Sequence, residues 1–198
     1  VENERGELLD ASIVSRDKLK EAQRTLRPEV YKANYMQKPM DVEGRLYTGF
    51  AEWSELPDSP IRKNNTDVAD QGKDNICSVN WQEHEGKVYI TDIYYSPEKA
   101  EVTEPKVALM LAGGNVTIAE FESNNGGKGY ARNVEREINA LGNTSTVFKW
   151  TAQTSNKEAR ILTSSAWVQN NVYMPPNWTS KYPEFAAEVL SYVAGSKN

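Results

Sequence analysis

Two acidic clusters hold the residues of this chain whose types and spacing best suit chemistry. The first runs from Asp67 to Asp74 and the second from Glu120 to Gly127, and each combines a strand-like run with a glycine-containing loop. A strand end that feeds such a loop offers a rigid scaffold and room for a ligand. Carboxylates gathered there suit Mg²⁺ or Mn²⁺, which prefer oxygen ligands. Two such ions, about 4 Å apart, form the arrangement that hydrolyses phosphodiesters.

The same residues also fit a structural interpretation, in which Asp70, Asp74 and Glu120 are solvated turn acids. The glycine-rich stretch 124–129 precedes a helical pattern whose N-terminus could receive a phosphate, but an ordinary strand-to-helix turn fits equally well. The sequence has no Gly-x-x-x-x-Gly-Lys-[Ser/Thr] motif, which excludes an ATP site of the P-loop kind.

Composition narrows the class of function further. The 198 residues carry a net charge of -5, which argues against a domain that holds nucleic acid by charge alone. With His84 as the one histidine, a histidine metal cluster or a Ser-His-Asp triad is poorly supported, and we expect no chemical role for this turn residue. A single cysteine, Cys77, suits a reducing cytoplasm, and no apolar run is long enough to predict a membrane span.

The elements that must position the acids follow from hydrophobic periodicity and from turn signals. Three strands are expected first, the last two joined by a hairpin at Glu85-Gly86, and strands separated by helices follow, which predicts a mixed sheet with helices on both faces. The expected strands are 66–70, 76–82, 87–95, 116–121 and 146–150, and the expected helices are 15–27, 103–113, 130–141, one opened by the capping box Ser155-x-x-Glu158, and 183–193.

Several motifs, taken in order, resemble those of one family. The block Asp67-x-Ala69-x-x-Gly72-x-Asp74, followed by Glu122-x-Asn124-x-Gly126, resembles the nuclease domain of phage terminase large subunits. The flanking pieces that share this resemblance are Tyr35-Met36-Gln37-Lys38-Pro39, Glu43-Gly44-Arg45-Leu46-Tyr47, Asn156-Lys157-Glu158-x-Arg160-Ile161 and Tyr182-Pro183-Glu184-Phe185. The resemblance therefore spans nearly the whole chain.

The resemblance implies an α/β fold of the ribonuclease H-like kind, with an antiparallel start to the sheet, parallel strands after it and helices on both faces. It implies an Mg²⁺- or Mn²⁺-dependent endonuclease that cuts concatemeric phage DNA. Asp67 matches the first-strand aspartate that bridges both metals. Glu122 matches the acid that ends the fourth strand, chosen over Glu120 because the acid-x-Asn spacing fits it. Asp74 matches a supporting acid, whereas Asp70 has no match.

Basic residues flank both acidic clusters. Lys73 lies beside the first, and Lys128 and Arg132 follow the second. Contacts from such residues to the phosphate backbone would position DNA without reading its sequence. Lys128 is the strongest of these candidates, because it belongs to the glycine-rich loop beside Glu122.

The resemblance also implies a domain organisation and a set of partners. Residues 1–60 would form a linker or wrapping segment that follows an ATPase domain, and residues 61–198 the nuclease domain. We expect a third catalytic acid beyond Asn198, and therefore weak cleavage by these 198 residues. The implied partners are double-stranded DNA, the ATPase domain of the same subunit, the portal and the small terminase subunit, in the cytoplasm of a bacterial host.

Two alternatives stay open. One is another ribonuclease H-like nuclease, such as a junction resolvase or a transposase core, which would share the acids but not the segment from Tyr35 to Tyr47. The other is a non-catalytic docking domain of the packaging motor, whose acids form a solvated face.

Overall fold

A mixed β-sheet forms the centre of this computed structural model, which describes residues 45–68, 75–122, 127–152 and 156–193. From Leu46 onward these residues belong to one compact unit. The elements are β1 (Ala51–Glu52), β2 (Arg62–Asp67), β3 (Ile76–His84), β4 (Lys87–Ser96), α1 (Ala100–Gly113), β5 (Ile118–Glu122), α2 (Gly127–Ala140), β6 (Val147–Thr151), α3 (Lys157–Asn171), β7 (Val172–Met174), α4 (Trp178–Lys181) and α5 (Pro183–Ser191).

The strand order confirms the predicted fold class. The sheet runs β1-β7-β4-β3-β2-β5-β6. Strands β2, β3 and β4 are antiparallel neighbours, whereas β5 pairs with β2 in parallel and β6 pairs with β5 in parallel. The five strands β4-β3-β2-β5-β6 thus have the ribonuclease H-like arrangement, an antiparallel start followed by parallel strands. Because β2 and β5 are parallel, their carboxyl ends meet at one edge of the sheet.

Helices cover both faces of the sheet, as expected. On one face, α1 and α2 pack through Val107, Leu111, Val134 and Ile138 against residues that include Phe121 of β5. On the other face, the buried residues are Ile90, Ile93, Met174, Trp178 and Ala186, which join β4 and β7 to α4 and α5. Among the described residues, no helix is long and apolar enough to cross a membrane.

Polar side chains fill the space between β2, β3 and α1. Asn64 donates from Nδ2 to Ser78 Oγ at 2.9 Å and to Asn80 Oδ1 at 2.9 Å, and it accepts from Thr66 Oγ1 at 2.9 Å. Asn80 donates in turn to the Met110 carbonyl of α1 at 3.1 Å. The four side chains of this network on β2 and β3 are all buried. A buried network whose hydrogen bonds are satisfied favours a single register between β2 and β3. It therefore fixes the position of the last residue of β2 relative to β3.

The predicted boundaries that differ from the structure include those of β2, α1 and α3. Strand β2 covers residues 62–67 rather than 66–70, because its sequence Arg-Lys-Asn-Asn-Thr-Asp has no apolar residue to signal a strand. Helix α1 begins at Ala100 rather than at Thr103, with Pro105 inside it. Helix α3 is capped by Asn156, whose Oδ1 accepts from Ala159 N at 3.1 Å, rather than by Ser155.

The remaining comparisons concern a hairpin, three short elements and the N-terminal part of the chain. The Glu85-Gly86 hairpin is confirmed, with φ of +50° and +74° at the two residues, and strands β3 and β4 flank it. The short elements β1, β7 and α4 were not predicted. The expected helix 15–27 and most of the segment 31–46 lie outside the described residues. The division of the chain near residue 60 stays a prediction.

Candidate functional site

Asp67 and Glu122 are the final residues of two neighbouring parallel strands. The register pairs Asn65 with Glu120 and Thr66 with Phe121, so Asp67 and Glu122 are the next residue of each strand. Thr66 and Phe121 are both buried on the face that α1 and α2 cover. Because side chains alternate along a strand, Asp67 and Glu122 lie on the opposite face and at the same edge. The two acids that the sequence motifs single out are therefore brought together.

These acids line a cleft of about 290 Å³ at the carboxyl ends of the strands. Glu120 belongs to the same face and lines the same cleft, and its Oε1 accepts a hydrogen bond from Thr151 Oγ1 at 2.5 Å. Arg160 of α3 also lines the cleft. The wall of the cleft thus combines three carboxylates from β2 and β5 with a guanidinium from α3.

A lysine from the same helix reaches the first acid. Lys157 Nζ lies 3.4 Å from Asp67 Oδ2, with side chains that are 74% and 51% exposed respectively. An ion pair this exposed is screened by water and contributes little to folding stability. The ion pair instead shows that a positively charged group can lie against the Asp67 carboxylate.

Cys77 is the residue of β3 that pairs with Asp67. Burial, followed by the charge of Asp67, raises the pKa of the Cys77 thiol to about 12, against a smaller lowering by Lys157. A thiol with such a pKa stays protonated at neutral pH and is a poor nucleophile. The chemistry of the cleft therefore belongs to its oxygen ligands.

A second cleft, of about 580 Å³, adjoins the first between α3 and α5. Asp67, Lys157, Glu158 and Glu188 line it, together with apolar side chains that include Phe185. The sequence analysis gave Glu158 and Glu188 no site role. Among the described residues, no three groups of the histidine, cysteine, aspartate or glutamate type are close enough to hold one metal ion. The described part of the site therefore supplies a pair of strand-end acids, not a three-ligand centre.

The other expected site residues fall in two places. Asp74 and Lys73, like Asp70, lie outside the described residues. Lys128 and Arg132 are exposed on α2, which packs on the opposite face of the sheet, and neither lines the two clefts.

Lys157 and Arg160 are two residues of the site that were not predicted from the sequence. The signal for them was present, because both belong to the quoted motif Asn156-Lys157-Glu158-x-Arg160-Ile161 and are three residues apart on one helix. Residues at that spacing share a helix face.

The fold and the acid pair define the class of domain: a ribonuclease H-like domain with an acidic cleft at the carboxyl ends of β2 and β5. No protein-family model matches the sequence, and no curated protein matches it.

Solved structures with similarity to the chain come from several viruses. The large terminase of a thermophilic bacteriophage has 13% identity and a TM-score of 0.48 over 91% of this chain and 45% of that chain. The nuclease domain of the large terminase g2p of bacteriophage SPP1, with bound Mn, has 12% identity and a TM-score of 0.45 over 70% and 72%. The fowlpox virus Holliday junction resolvase has 14% identity and a TM-score of 0.42 over 68% and 94%.

The chain spans less than half the length of the large terminase from the thermophilic bacteriophage, and less than half of the terminase nuclease chains of bacterial virus Sf6 that it also matches.

Proposed function

We propose that this chain is a metal-dependent endodeoxyribonuclease, the nuclease domain of a phage DNA-packaging terminase large subunit. One observation carries the proposal: Asp67 and Glu122, far apart in sequence, end adjacent parallel strands on one face of a ribonuclease H-like sheet. Strand ends hold side chains rigidly, which a catalytic site needs.

The donor set fits a hard divalent ion. The first cleft is lined by the carboxylates of Asp67, Glu120 and Glu122, whose oxygens suit such an ion. The ion pair with Lys157 supports a cation position beside Asp67. Asp67 and Glu122 would hold Mg²⁺ or Mn²⁺, with Asp74 as a supporting acid. When bound, two such ions activate the attacking water and stabilise the leaving oxygen of a phosphodiester.

The protein's own side chains would orient these ions and the DNA. Thr151 fixes Glu120 by its hydrogen bond, which keeps one wall of the cleft in place. Lys73, Lys128 and Arg132 would contact backbone phosphates, which positions a duplex without reading its sequence. The substrate would be concatemeric viral DNA, which the domain cuts with low sequence specificity.

The remaining proposed partners are components of the DNA-packaging motor. They are the ATPase domain of the same subunit, the portal and the small terminase subunit, in the cytoplasm of the bacterial host. These follow from the motif resemblance and from no contact in the structure.

Nicking of supercoiled plasmid in Mn²⁺ tests the proposal, because one cut per molecule is enough to detect weak activity. We expect Asp67→Asn to reduce nicking by at least about 100-fold, since changing even the groups around metal ligands costs about 10–100-fold. Glu101→Gln, an exposed acid in the first turn of α1, is the matched control and should nick as the unchanged chain does. Equal nicking by the Asp67→Asn variant would refute the assignment.

The same assay separates the alternatives. A junction resolvase would cut a four-way junction in preference to linear duplex, whereas the proposed function predicts no such preference. A docking domain would neither bind Mn²⁺ in a calorimetric titration nor nick plasmid.

A further inference from the structure

Arg160 combines two properties that are unusual for an arginine beside carboxylates. It lines the first cleft together with Glu120, Glu122 and Thr151. Its Nε atom is buried and has no hydrogen-bond partner. Among the ion pairs of the described residues, none involves Arg160, so its guanidinium is close to the acids without being paired to them.

A buried donor without a partner costs free energy, so such groups call for an explanation. Packing does not supply one, because α3 has no buried residue among its 15 and does not need Arg160 to fill a core. A guanidinium presents its N–H groups in a flat fork that matches the oxygens of a phosphate. Arg160 lines the cleft and is in no ion pair with the described residues, so its guanidinium is placed to meet a phosphate there.

The net charge of the cleft determines when a phosphate can bind there. Among the described residues, Asp67, Glu120 and Glu122 bring three negative charges to the cleft. Arg160 in its wall and Lys157 beside Asp67 bring two positive ones, so the described groups carry one net negative charge. In that state the cleft repels a phosphate. One bound divalent ion reverses the sign and leaves one net positive charge, which attracts a phosphate.

We propose that Arg160 binds a backbone phosphate of DNA within the carboxylate cleft, and that this contact forms only when the carboxylates hold a divalent ion. The inference deepens the proposed function and rests on it for the identity of the ligand as DNA. It assigns the phosphate contact inside the cleft to α3 rather than to Lys128 and Arg132, which lie on the helix of the opposite face.

Binding of a fluorescent 20-base-pair duplex tests the proposal. Anisotropy is measured over a range of NaCl concentrations, once with Ca²⁺ and once with a chelator at matched ionic strength, and a denaturing gel checks that the duplex stays intact. Loss of one phosphate contact lowers the slope of log K against log salt by about 0.9. The variants are Arg160→Ala and Arg160→Lys, and the control is Lys99→Ala, an exposed residue at the start of α1, which covers the face of the sheet opposite the cleft.

We expect Arg160→Ala to weaken binding about ten-fold and to lower the slope by about 0.9 with Ca²⁺, but to change neither with the chelator. Arg160→Lys keeps the charge, so it should keep the slope and lose affinity because the fork geometry is gone. Lys99→Ala should match the unchanged chain in both conditions.

Two results would overturn the inference. One is an Arg160→Ala variant that binds the duplex as the unchanged chain does with Ca²⁺. The other is an effect of the same size with the chelator, which would mean a contact independent of metal. Failure of the proposed function is recognised separately, since the unchanged chain would then show no Mn²⁺ binding and no plasmid nicking.

Discussion

Gly127, the first residue of α2, lies directly against the backbone carbonyl of Glu122, the last residue of β5. A β-carbon at position 127 would overlap the carbonyl oxygen of Glu122 and its carbon. The absence of a side chain at Gly127 therefore lets the first residue of α2 lie against the last residue of β5. This close approach fixes the position of Glu122, at the end of β5, relative to α2.

Gly127→Ala should destabilise the fold, because the new methyl group meets backbone rather than a flexible side chain. We expect a loss of about 1–3 kcal/mol in the free energy of unfolding, measured in urea, as for overpacked sites. The displaced strand end should also weaken Mn²⁺ binding.

Gly129→Ala is the matched control for this change. No atom lies within 4 Å of a β-carbon at position 129, which is inside the same helix. An alanine there should stabilise the helix by about 0.5–1 kcal/mol. Equal effects of the two substitutions would show that the contact between Gly127 and Glu122 is unimportant.

The buried polar network makes a second prediction. Asn64→Ala removes four hydrogen bonds, to Ser78, the Val79 carbonyl, Asn80 and Thr66. Asn80 Oδ1 then loses its donor inside the fold, and Thr66 and Ser78 keep only the hydrogen bond between their hydroxyls. We expect a loss of at least about 2 kcal/mol in unfolding free energy, since each unsatisfied buried group costs about 1–3 kcal/mol. Asn139→Ala, at an exposed helical position, should be neutral or slightly stabilising. A loss below about 0.5 kcal/mol for Asn64→Ala would contradict this role, because surface changes already reach that size.

This network also marks where sequence analysis fails for the fold. The strands β3, β4, β5 and β6 and the helices α1, α2, α3 and α5 were predicted in order, because apolar periodicity and turn residues signal them. Strand β2 buries Asn64 and Thr66 instead of apolar residues, so its pattern resembles a loop. Its position depends on partners in β3 and α1 that only the folded chain brings together.

For the candidate site, the motifs predicted two acids that the fold brings together, but not how these acids are surrounded. Asp67 and Glu122 follow from the resemblance and lie together in the structure. The placement of Lys157 and Arg160 depends on how α3 crosses the cleft, which no local pattern specifies. Lys128, the strongest basic candidate, lies on the helix of the opposite face, because the direction of α2 after Gly127 is set by tertiary packing.

Tyr182 gives a prediction for alkaline pH. Its hydroxyl donates to Asp92 Oδ1 at 2.6 Å, and burial, followed by the hydrogen bond and charge of Asp92, raises the pKa of Tyr182. A raised pKa means that the unfolded chain loses this proton first. The stabilisation is fully present below about pH 10, the pKa of an unfolded tyrosine, and is lost as the pH rises through the folded-state value.

Tyr182→Phe should therefore lower the unfolding free energy at pH 8 by about 1 kcal/mol, the net value of a hydrogen bond. It should also make the decline of stability above about pH 10 shallower. Urea unfolding from about pH 8 to about pH 11, on either side of the unfolded-state pKa, measures both effects. Tyr89→Phe is the control, because the hydroxyl of Tyr89 makes no hydrogen bond to the described residues and its ring stacks on Tyr173. An unchanged pH profile for Tyr182→Phe would contradict the prediction.

For Lys128 and Arg132, the expected effect on DNA binding differs from that for Arg160. If they contact phosphates outside the cleft, Lys128→Ala and Arg132→Ala should each lower the salt slope of DNA binding by about 0.9. The effect should be the same with Ca²⁺ and with a chelator, since both residues lie outside the cleft. Slopes equal to that of the unchanged chain would remove them from the DNA-binding surface.

Paramagnetic broadening by Mn²⁺ in the amide NMR spectrum is the most direct test of the shared site. Substoichiometric Mn²⁺ should broaden the signals of Thr66 and Phe121 together, because each lies next to one of the two acids on adjacent strands. In the Asp67→Asn variant both should stay sharp at the same Mn²⁺ concentration, while the rest of the spectrum is unchanged. Broadening confined to one strand, or centred on the exposed acids of α1 or α2, would show that Asp67 and Glu122 do not hold one ion between them.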